Sequence, residues 1–202
     1  MLNDVTVFNI REYLSAKDDK ELGEEELLGL LSEFSCSRNM DVERFLKEQS
    51  VEFTKKNQSV TYLVFANKDV ALVGYFTITI KPITVNTCSF SNTMKRKIAR
   101  VSELDKANDT YTLSAYLIAQ LGKNFSSNMG EKITGKQLLQ AAIDTIKELQ
   151  YMAGGMVAFL EADDNEKLIE FYEQNGFKRF ATKEVQAGTE NAHTLIQFLK
   201  VL

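Results

Sequence analysis

A strand that runs into a polar loop, followed by a long helix, is an arrangement that can hold a phosphate. Leu121 to Gln137 (LGKNFSSNMGEKITGKQ) has that order. The free backbone N–H groups and the positive dipole end of the helix both face such a loop. Gly130 to Lys136 matches the first seven positions of a P-loop, G-x-x-x-x-G-K. The eighth position needs a Ser or Thr hydroxyl for magnesium, and Gln137 stands there. Only about 65 residues remain beyond it, thin for the sheet and acidic metal-binding strand of a nucleotide triphosphatase.

The second informative stretch is Leu160 to Phe177 (LEADDNEKLIEFYEQNGF). It reads as a strand end, a turn, an amphipathic helix and a glycine stop. Leu168, Ile169, Phe171 and Tyr172 form an apolar stripe at helical spacing. Asn165 has the chemistry of an N-cap, and Asn175-Gly176 ends the helix. Tyr172 is either a core tyrosine or a proton donor, since a phenol is protonated at neutral pH.

Other chemistries find little support. His193 is the only histidine, and no serine sits in a Gly-x-Ser-x-Gly elbow. A Ser–His–Asp hydrolase and a histidine-based metal site are disfavoured. Cys36 and Cys88 give neither a disulfide framework nor zinc-ligand spacing, and they fit a reducing compartment. Cys36 reads as a buried structural thiol.

These residues must be positioned by strands and helices, and the pattern supplies them in sequence. Val5 to Ile10 is a first strand. A charged stretch, Lys17 to Glu26, leads to a helical face of Leu27, Leu28, Leu30, Leu31 and Phe34. Asp41 is expected to cap a second helix with Val42, Phe45 and Leu46 on its apolar side. Val60 to Ala66 and Val70 to Ile80 form a hairpin around Asn67-Lys68-Asp69. Gly74 predicts a bulge or a close backbone approach, and Pro82 is expected to end regular pairing. Residues 84 to 110 carry little pattern beyond the basic run Met94 to Arg100. Thr110 to Leu121 is a strand, Gly122 to Glu131 a polar loop and Thr134 to Gln150 a long helix stopped by Gly154-Gly155. Met156 to Leu160, Phe177 to Thr182 and Thr194 to Leu202 are further strands, the last two joined through Gly188 to Asn191. A mixed α/β architecture follows from this order.

Composition bounds the function. The 202 residues suit one domain, 44% hydrophobic and 26% charged, enough for a core. The net charge of −4 argues against nucleic acid as a partner unless a local basic patch intervenes. No apolar run approaches membrane-span length and the N-terminus lacks a signal pattern, so the expected location is cytoplasmic.

Asn165, the Phe171-Tyr172 pair and the Gly176-Phe177 step resemble the C-terminal motif of the Gcn5-related N-acetyltransferases (GNAT family). The resemblance covers roughly residues 30 to 200. It implies the acyl-CoA N-acyltransferase fold in a single N-acetyltransferase-like domain over 1–202: a largely antiparallel twisted sheet of six or seven strands with about four helices. It also implies acetyl-CoA as co-substrate and no metal, with direct attack of an amine on the thioester. Tyr172 matches the family's general acid, and Asn165 matches the asparagine that bonds the cofactor arm. Leu121, Gly122 and Lys123 match the strand that offers backbone groups to pantetheine. Gly130, Lys132, Ile133, Thr134, Gly135 and Lys136 match the pyrophosphate loop. Of that loop's Gln/Arg-x-x-Gly-x-Gly/Ala pattern only Gly135 agrees; Gly130 and Ile133 occupy the first and middle positions. Glu161, Glu103 and Tyr111 are candidate bases.

Phe34-Ser35-Cys36-Ser37-Arg38, Phe45-Leu46, Thr61-Tyr62-Leu63 and Gly74-Tyr75-Phe76 resemble a subgroup of small acetyltransferases. Some of its members are toxins that acetylate charged tRNA and pair with ribbon-helix-helix antitoxins. The acidic charge ranks that reading below a small-molecule or peptide amine acceptor with no nucleic acid, no membrane and an optional homodimer. A GNAT-fold binding or partner module with little catalysis is the alternative, motivated by Ile133.

Overall fold

The computed structural model describes residues 4–15, 23–185 and 193–202. The expected connection Gly188 to Asn191 and part of the charged stretch from Lys17 lie outside them. Eight strands form one sheet: β1 (Val5–Asn9), β2 (Val60–Ala66), β3 (Ala71–Asn86), β4 (Leu104–Asp105), β5 (Thr110–Lys123), β6 (Val157–Asp163), β7 (Lys178–Val185) and β8 (His193–Val201). Their order is β1-β2-β3-β5-β6-β8-β7, with the two-residue β4 on β5. The β5–β6 pairing is parallel, and the β1–β2, β2–β3, β4–β5, β6–β8 and β7–β8 pairings are antiparallel. This is the mixed, largely antiparallel sheet of the acyl-CoA N-acyltransferase fold. The α-helices are α1 (Ile10–Ser15), α2 (Glu24–Ser32), α3 (Met40–Arg44), α4 (Ser50–Lys55), α5 (Asn92–Ile98), α6 (Gly135–Ala153) and α7 (Glu166–Gln174).

The chain divides into two compact units, Met1–Thr79 with Ile118–Glu148, and Ile80–Leu117 with Leu149–Leu202. In the first, Leu27 and Leu31 of α2 and Val42 of α3 join Phe34, Leu46, Leu63, Phe65 and Tyr75 in one buried cluster. The spacing of these apolar residues along α2 puts them on one face, and burying each is worth about 1.5–3 kcal/mol. The β2–β3 hairpin pairs Val64 with Gly74 and Phe65 with Leu72, so Val73 is the extra residue of a bulge. Gly74 is also a close approach: a Cβ there would lie 2.9 Å from the carbonyl of Gly122. Asn39, not Asp41, caps α3, accepting from the N–H groups of Asp41 and Val42. It stands just outside the first turn in extended conformation, where its side chain reaches both orphan donors.

In the second unit, Ile83, Val85, Leu113, Leu117, Val157, Phe159 and Leu199 form a core face, covered by Ile98 of α5. Pro82 does not end the strand; β3 runs through it to Asn86. The reason is positional. β2 stops at the Val60↔Ile78 pair, so the ladder has no β2 donor position left to lose at Pro82. The patternless segment 84 to 110 holds a 3-10 turn (Thr87–Ser89), α5, β4 and a tight turn. Asp105 organises that turn by accepting from the N–H groups of Ala107 and Asn108. Thr87 holds its far end, donating from its hydroxyl to Asp109 at 2.6 Å.

Candidate functional site

Helix α7 of the second unit begins as its sequence suggests. Asn165 is in extended conformation and its side-chain oxygen accepts from the N–H of Lys167 at 3.0 Å. The helix stops at Gly176, whose φ of +82° is costly for any residue with a Cβ. Tyr172 is buried between these ends. Its ring lies 5.1 Å from Phe171, 6.0 Å from Phe177 and 5.4 Å from Phe198. Aromatic pairs of this kind add about 0.5–1.5 kcal/mol each beyond burial. The hydroxyl makes no hydrogen bond among the described residues. Burial, with the Asp163 carboxylate as a lesser cause, pushes its pKa up to about 12. Tyr172 is therefore both a core residue and a protonated phenol at neutral pH.

The first unit holds the strand, loop and long helix. β5 extends through Leu121 and Gly122 to Lys123, two residues further than its pattern suggests. Gly122 is buried because nothing larger fits: a Cβ would sit 2.9 Å from the ring of Tyr75 and against Val42. A 3-10 segment, Ser126–Glu131, follows and includes Gly130, where a Cβ would meet the Phe125 ring at 2.8 Å. Ile133 is 2% exposed, so its side chain anchors the loop in the core. Lys132 is ion-paired with Asp69, whose carboxyl it holds below the usual range. Lys136 has no ion pair among the described residues.

Helix α6 starts at Gly135 behind a reciprocal cap. Thr134 Oγ1 accepts from the N–H of Gln137 at 3.1 Å, and Gln137 Oε1 accepts from the N–H of Thr134 at 2.9 Å. Gln137 thus closes a capping box at the position where a P-loop carries its magnesium-binding hydroxyl. The N–H groups of Gly135 and Lys136 have no acceptor among the described residues.

Three residues without a sequence motif tie this half together. Asn124 is buried; its Nδ2 donates to Leu72 O at 2.8 Å, and its Oδ1 accepts from Ser35 and Ser126 N–H at 3.1 and 3.0 Å. Phe125 N–H donates to Ser35 O at 2.7 Å. The turn Phe34-Ser35-Cys36 is thereby fixed against the end of β5. Glu43 accepts from the N–H of Cys36 at 2.7 Å, and Lys47 and that N–H hold its carboxyl low. Burial pushes the Cys36 thiol up, as expected of a structural cysteine. The Phe125 ring carries two cations, the Arg38 guanidinium at 4.7 Å and the Lys123 ammonium at 5.6 Å. Desolvation and then Arg38 lower the Lys123 pKa.

Of the candidate bases, Glu103 is exposed on the surface and Tyr111 is 6% exposed in the core of the second unit. Glu161 sits on β6, where Lys183 and Gln197 hold it at 3.0 and 2.7 Å. The basic run forms α5 and the turn after it. Lys95, Arg96, Lys97 and Arg100 make no ion pair among the described residues. Ile98 and Met94 turn inward and leave these charges at the surface.

The fold these elements define is that of the acyl-CoA N-acyltransferases, as the chain's motifs imply. No family model matches the sequence, and no curated protein does. Solved structures do match. One is AtaT complexed with acetyl-methionyl-tRNAfMet, at 18% identity and a TM-score of 0.60 over 96% of this chain and 94% of that one. A Tyr-to-Phe variant of the AtaT toxin, bound to the C-terminus of the antitoxin AtaR and acetyl-CoA, matches at 18% identity and 0.52 over the same shares. A KacTA–DNA complex matches at 19% identity and 0.50 over 95% and 91%. The expectation of a small-molecule acceptor and no nucleic acid is overturned by these matches, whose complexes hold tRNA, DNA and an antitoxin. Net charge misled because it averages the surface; α5 and the turn after it concentrate four cations, Lys95, Arg96, Lys97 and Arg100. Among the described residues no helix is long and apolar enough to cross a membrane.

Proposed function

We propose that the protein is an acetyl-CoA-dependent N-acetyltransferase that acetylates the amino group of an amino acid carried on tRNA, in the manner of a toxin with a protein antitoxin. The observation that carries this reading is the coincidence of two things. Tyr172 stands protonated on α7 behind the Asn165 cap, and the fold aligns over nearly the whole chain with AtaT complexed with acetyl-methionyl-tRNAfMet.

Acetyl-CoA supplies the activated acetyl group. In the proposed reaction the amine nitrogen bonds to the thioester carbon and the C–S bond breaks. Tyr172 gives its proton to the departing thiolate and recovers one, through solvent, from the nitrogen. The buried phenol is a strong base once ionised, which favours this recovery. Gly135 and Lys136 offer two unclaimed backbone N–H groups to the pyrophosphate, and Lys136 adds a charge with no ion pair among the described residues. Leu121, Gly122 and Lys123 offer backbone groups to the pantetheine arm, Asn165 keeps its amide N–H₂ for it, and Gly130, Lys132, Ile133 and Thr134 shape the loop. The cations of α5 supply a local basic surface of the kind RNA phosphates need.

The test is transfer of radiolabel from acetyl-CoA to purified tRNA, charged and uncharged. Label on charged tRNA alone, released with the amino acid on mild alkaline deacylation, is the expected result. Acetyl-CoA binding by calorimetry with no label on any charged tRNA would refute the acceptor. No binding at millimolar coenzyme would refute the enzyme and leave a partner module.

A further inference from the structure

The second unit contains a pocket of about 280 Å³ that the catalytic reading does not use. Pro82, Ile83, Leu117, Phe159 and Phe180 contribute its apolar wall, and Lys81, Thr84, Glu161, Lys183 and Gln197 its polar side. We propose that this pocket receives the amino acid of the acceptor, its side chain against the apolar wall and its amino group on Glu161. The inference rests on the charged-tRNA reading above and names the part of the acceptor that is recognised.

Three observations support it. The first is placement. Phe159 pairs with Leu199 and Glu161 with Gln197, on the face of the sheet that carries the α5 core. Leu160 pairs with Phe198, and Phe198 touches Tyr172, so the proton donor belongs to the opposite face. The parallel β5–β6 pairing comprises only Tyr116↔Ala158 and Leu117↔Phe159. Glu161 lies two residues past it. At Glu161 β6 thus has a partner on its β8 side and none on its β5 side among the described residues. An amine held there lies on the face of β6 opposite the general acid.

The second is the state of Glu161. Its Oε1 accepts from Gln197 at 2.7 Å and Lys183 at 3.3 Å, and its Oε2 accepts from Lys183 at 3.0 Å. A carboxylate offers about four lone-pair directions, so one remains on Oε2 for an N–H donor. Lys183 and Gln197 lock the carboxylate in one orientation, which preorganises it for that donor.

The third is size and polarity. Ligand pockets run from about 300 to 1,000 Å³, so this one is at the small end. It suits a single residue-sized group and excludes a nucleotide. An apolar wall facing a polar side that holds Glu161 favours an uncharged, medium-sized side chain bearing a free amine.

The experiment measures kcat/KM for tRNAs charged with glycine, methionine and phenylalanine, for the wild type, Phe180→Ala and Glu161→Gln. The wild type is expected to favour methionine over glycine by about 10-fold or more, the scale of apolar side-chain discrimination. Phe180→Ala is expected to shift preference toward phenylalanine. Glu161→Gln, which is isosteric, is expected to raise KM for charged tRNA about 10-fold while KM for acetyl-CoA and the circular dichroism spectrum stay unchanged. If Phe180→Ala does not fold, Ile83→Phe, which fills the pocket, is expected to penalise methionine relative to glycine. Unchanged amino acid preference in the variants, with unchanged KM in Glu161→Gln, overturns the pocket assignment and leaves the proposed activity standing. No acetylation of any charged tRNA by a wild type that binds acetyl-CoA overturns the acceptor reading, and the pocket assignment with it.

Discussion

Thr134 and Gln137 satisfy each other across the first turn of α6, each side chain taking the other's backbone N–H. This pair settles which donors of that helix end remain for a ligand. Thr134 and Gln137 N–H are spoken for, while those of Gly135 and Lys136 are not. Gln137→Ala removes one half of the box. It is expected to lower stability by about 0.5–2 kcal/mol in urea denaturation. Calorimetry is expected to show acetyl-CoA affinity changed less than about threefold, because the N–H groups assigned to the pyrophosphate are untouched. A loss of binding above about tenfold would show that the cap itself belongs to the cofactor site.

Tyr172→Phe keeps the ring among Phe171, Phe177 and Phe198 and removes only the hydroxyl. Turnover is expected to fall about 10²–10⁴-fold, the usual contribution of a general acid, with the Kd for acetyl-CoA unchanged. Wild-type rate at full turnover would refute the role.

The pH dependence of Tyr172 follows from its pKa, raised from 10.0 to about 12. A raised folded pKa means the folded state favours the proton. Its contribution to stability is fully present below the unfolded value of about 10 and fades as pH rises through the folded value near 12. The rate profile is therefore expected to show no alkaline loss from Tyr172 below about pH 11. Difference absorbance of wild type against Tyr172→Phe should show no tyrosinate from this residue at about pH 10.

α5 is predicted to contact RNA phosphates. Replacing Lys95, Arg96 and Lys97 with Gln should weaken charged-tRNA binding and flatten its dependence on salt, since neutralising fewer phosphates releases fewer counterions. Filter binding across a salt series measures both. A slope equal to that of the wild type would exclude the helix from the interface.

Gly122→Ala places a methyl group 2.9 Å from the Tyr75 ring and against Val42. Overpacking of this kind costs about 1–3 kcal/mol, and thermal unfolding should report it. Unchanged stability would mean that α3 yields easily, and that the Phe34-Ser35-Cys36 turn is looser than its hydrogen bonds indicate.

Much of the architecture was legible because its signals are local. Asn165, the Leu168–Tyr172 stripe and Gly176 each act within one or two turns of their own helix, so residue type at fixed spacing suffices. Gly74 was legible for the same reason: a glycine inside a β-rich run has few explanations, and here it faces a bulge and a neighbouring carbonyl. Pro82 misled because its effect depends on whether a partner strand still runs beside it. Asp41 misled because the helix starts two residues earlier than a cap there implies, and Asn39 takes the N–H groups of Asp41 and Val42.

The sequence by itself determined most of the strands and the longer helices, the apolar face of α2, the cap and stop of α7, and the presence of a tyrosine with the right neighbours. Those follow from short-range sterics and hydrogen bonding. The tertiary structure alone decided which charges are free and which are committed. Lys132 is paired with Asp69, 63 residues away in the chain, and Glu161 is held by Lys183 and Gln197, 22 and 36 residues away. It also decided that burial raises the Tyr172 phenol. Electrostatics and desolvation depend on distances through space. No spacing along the chain encodes them until the sheet has brought the strands together.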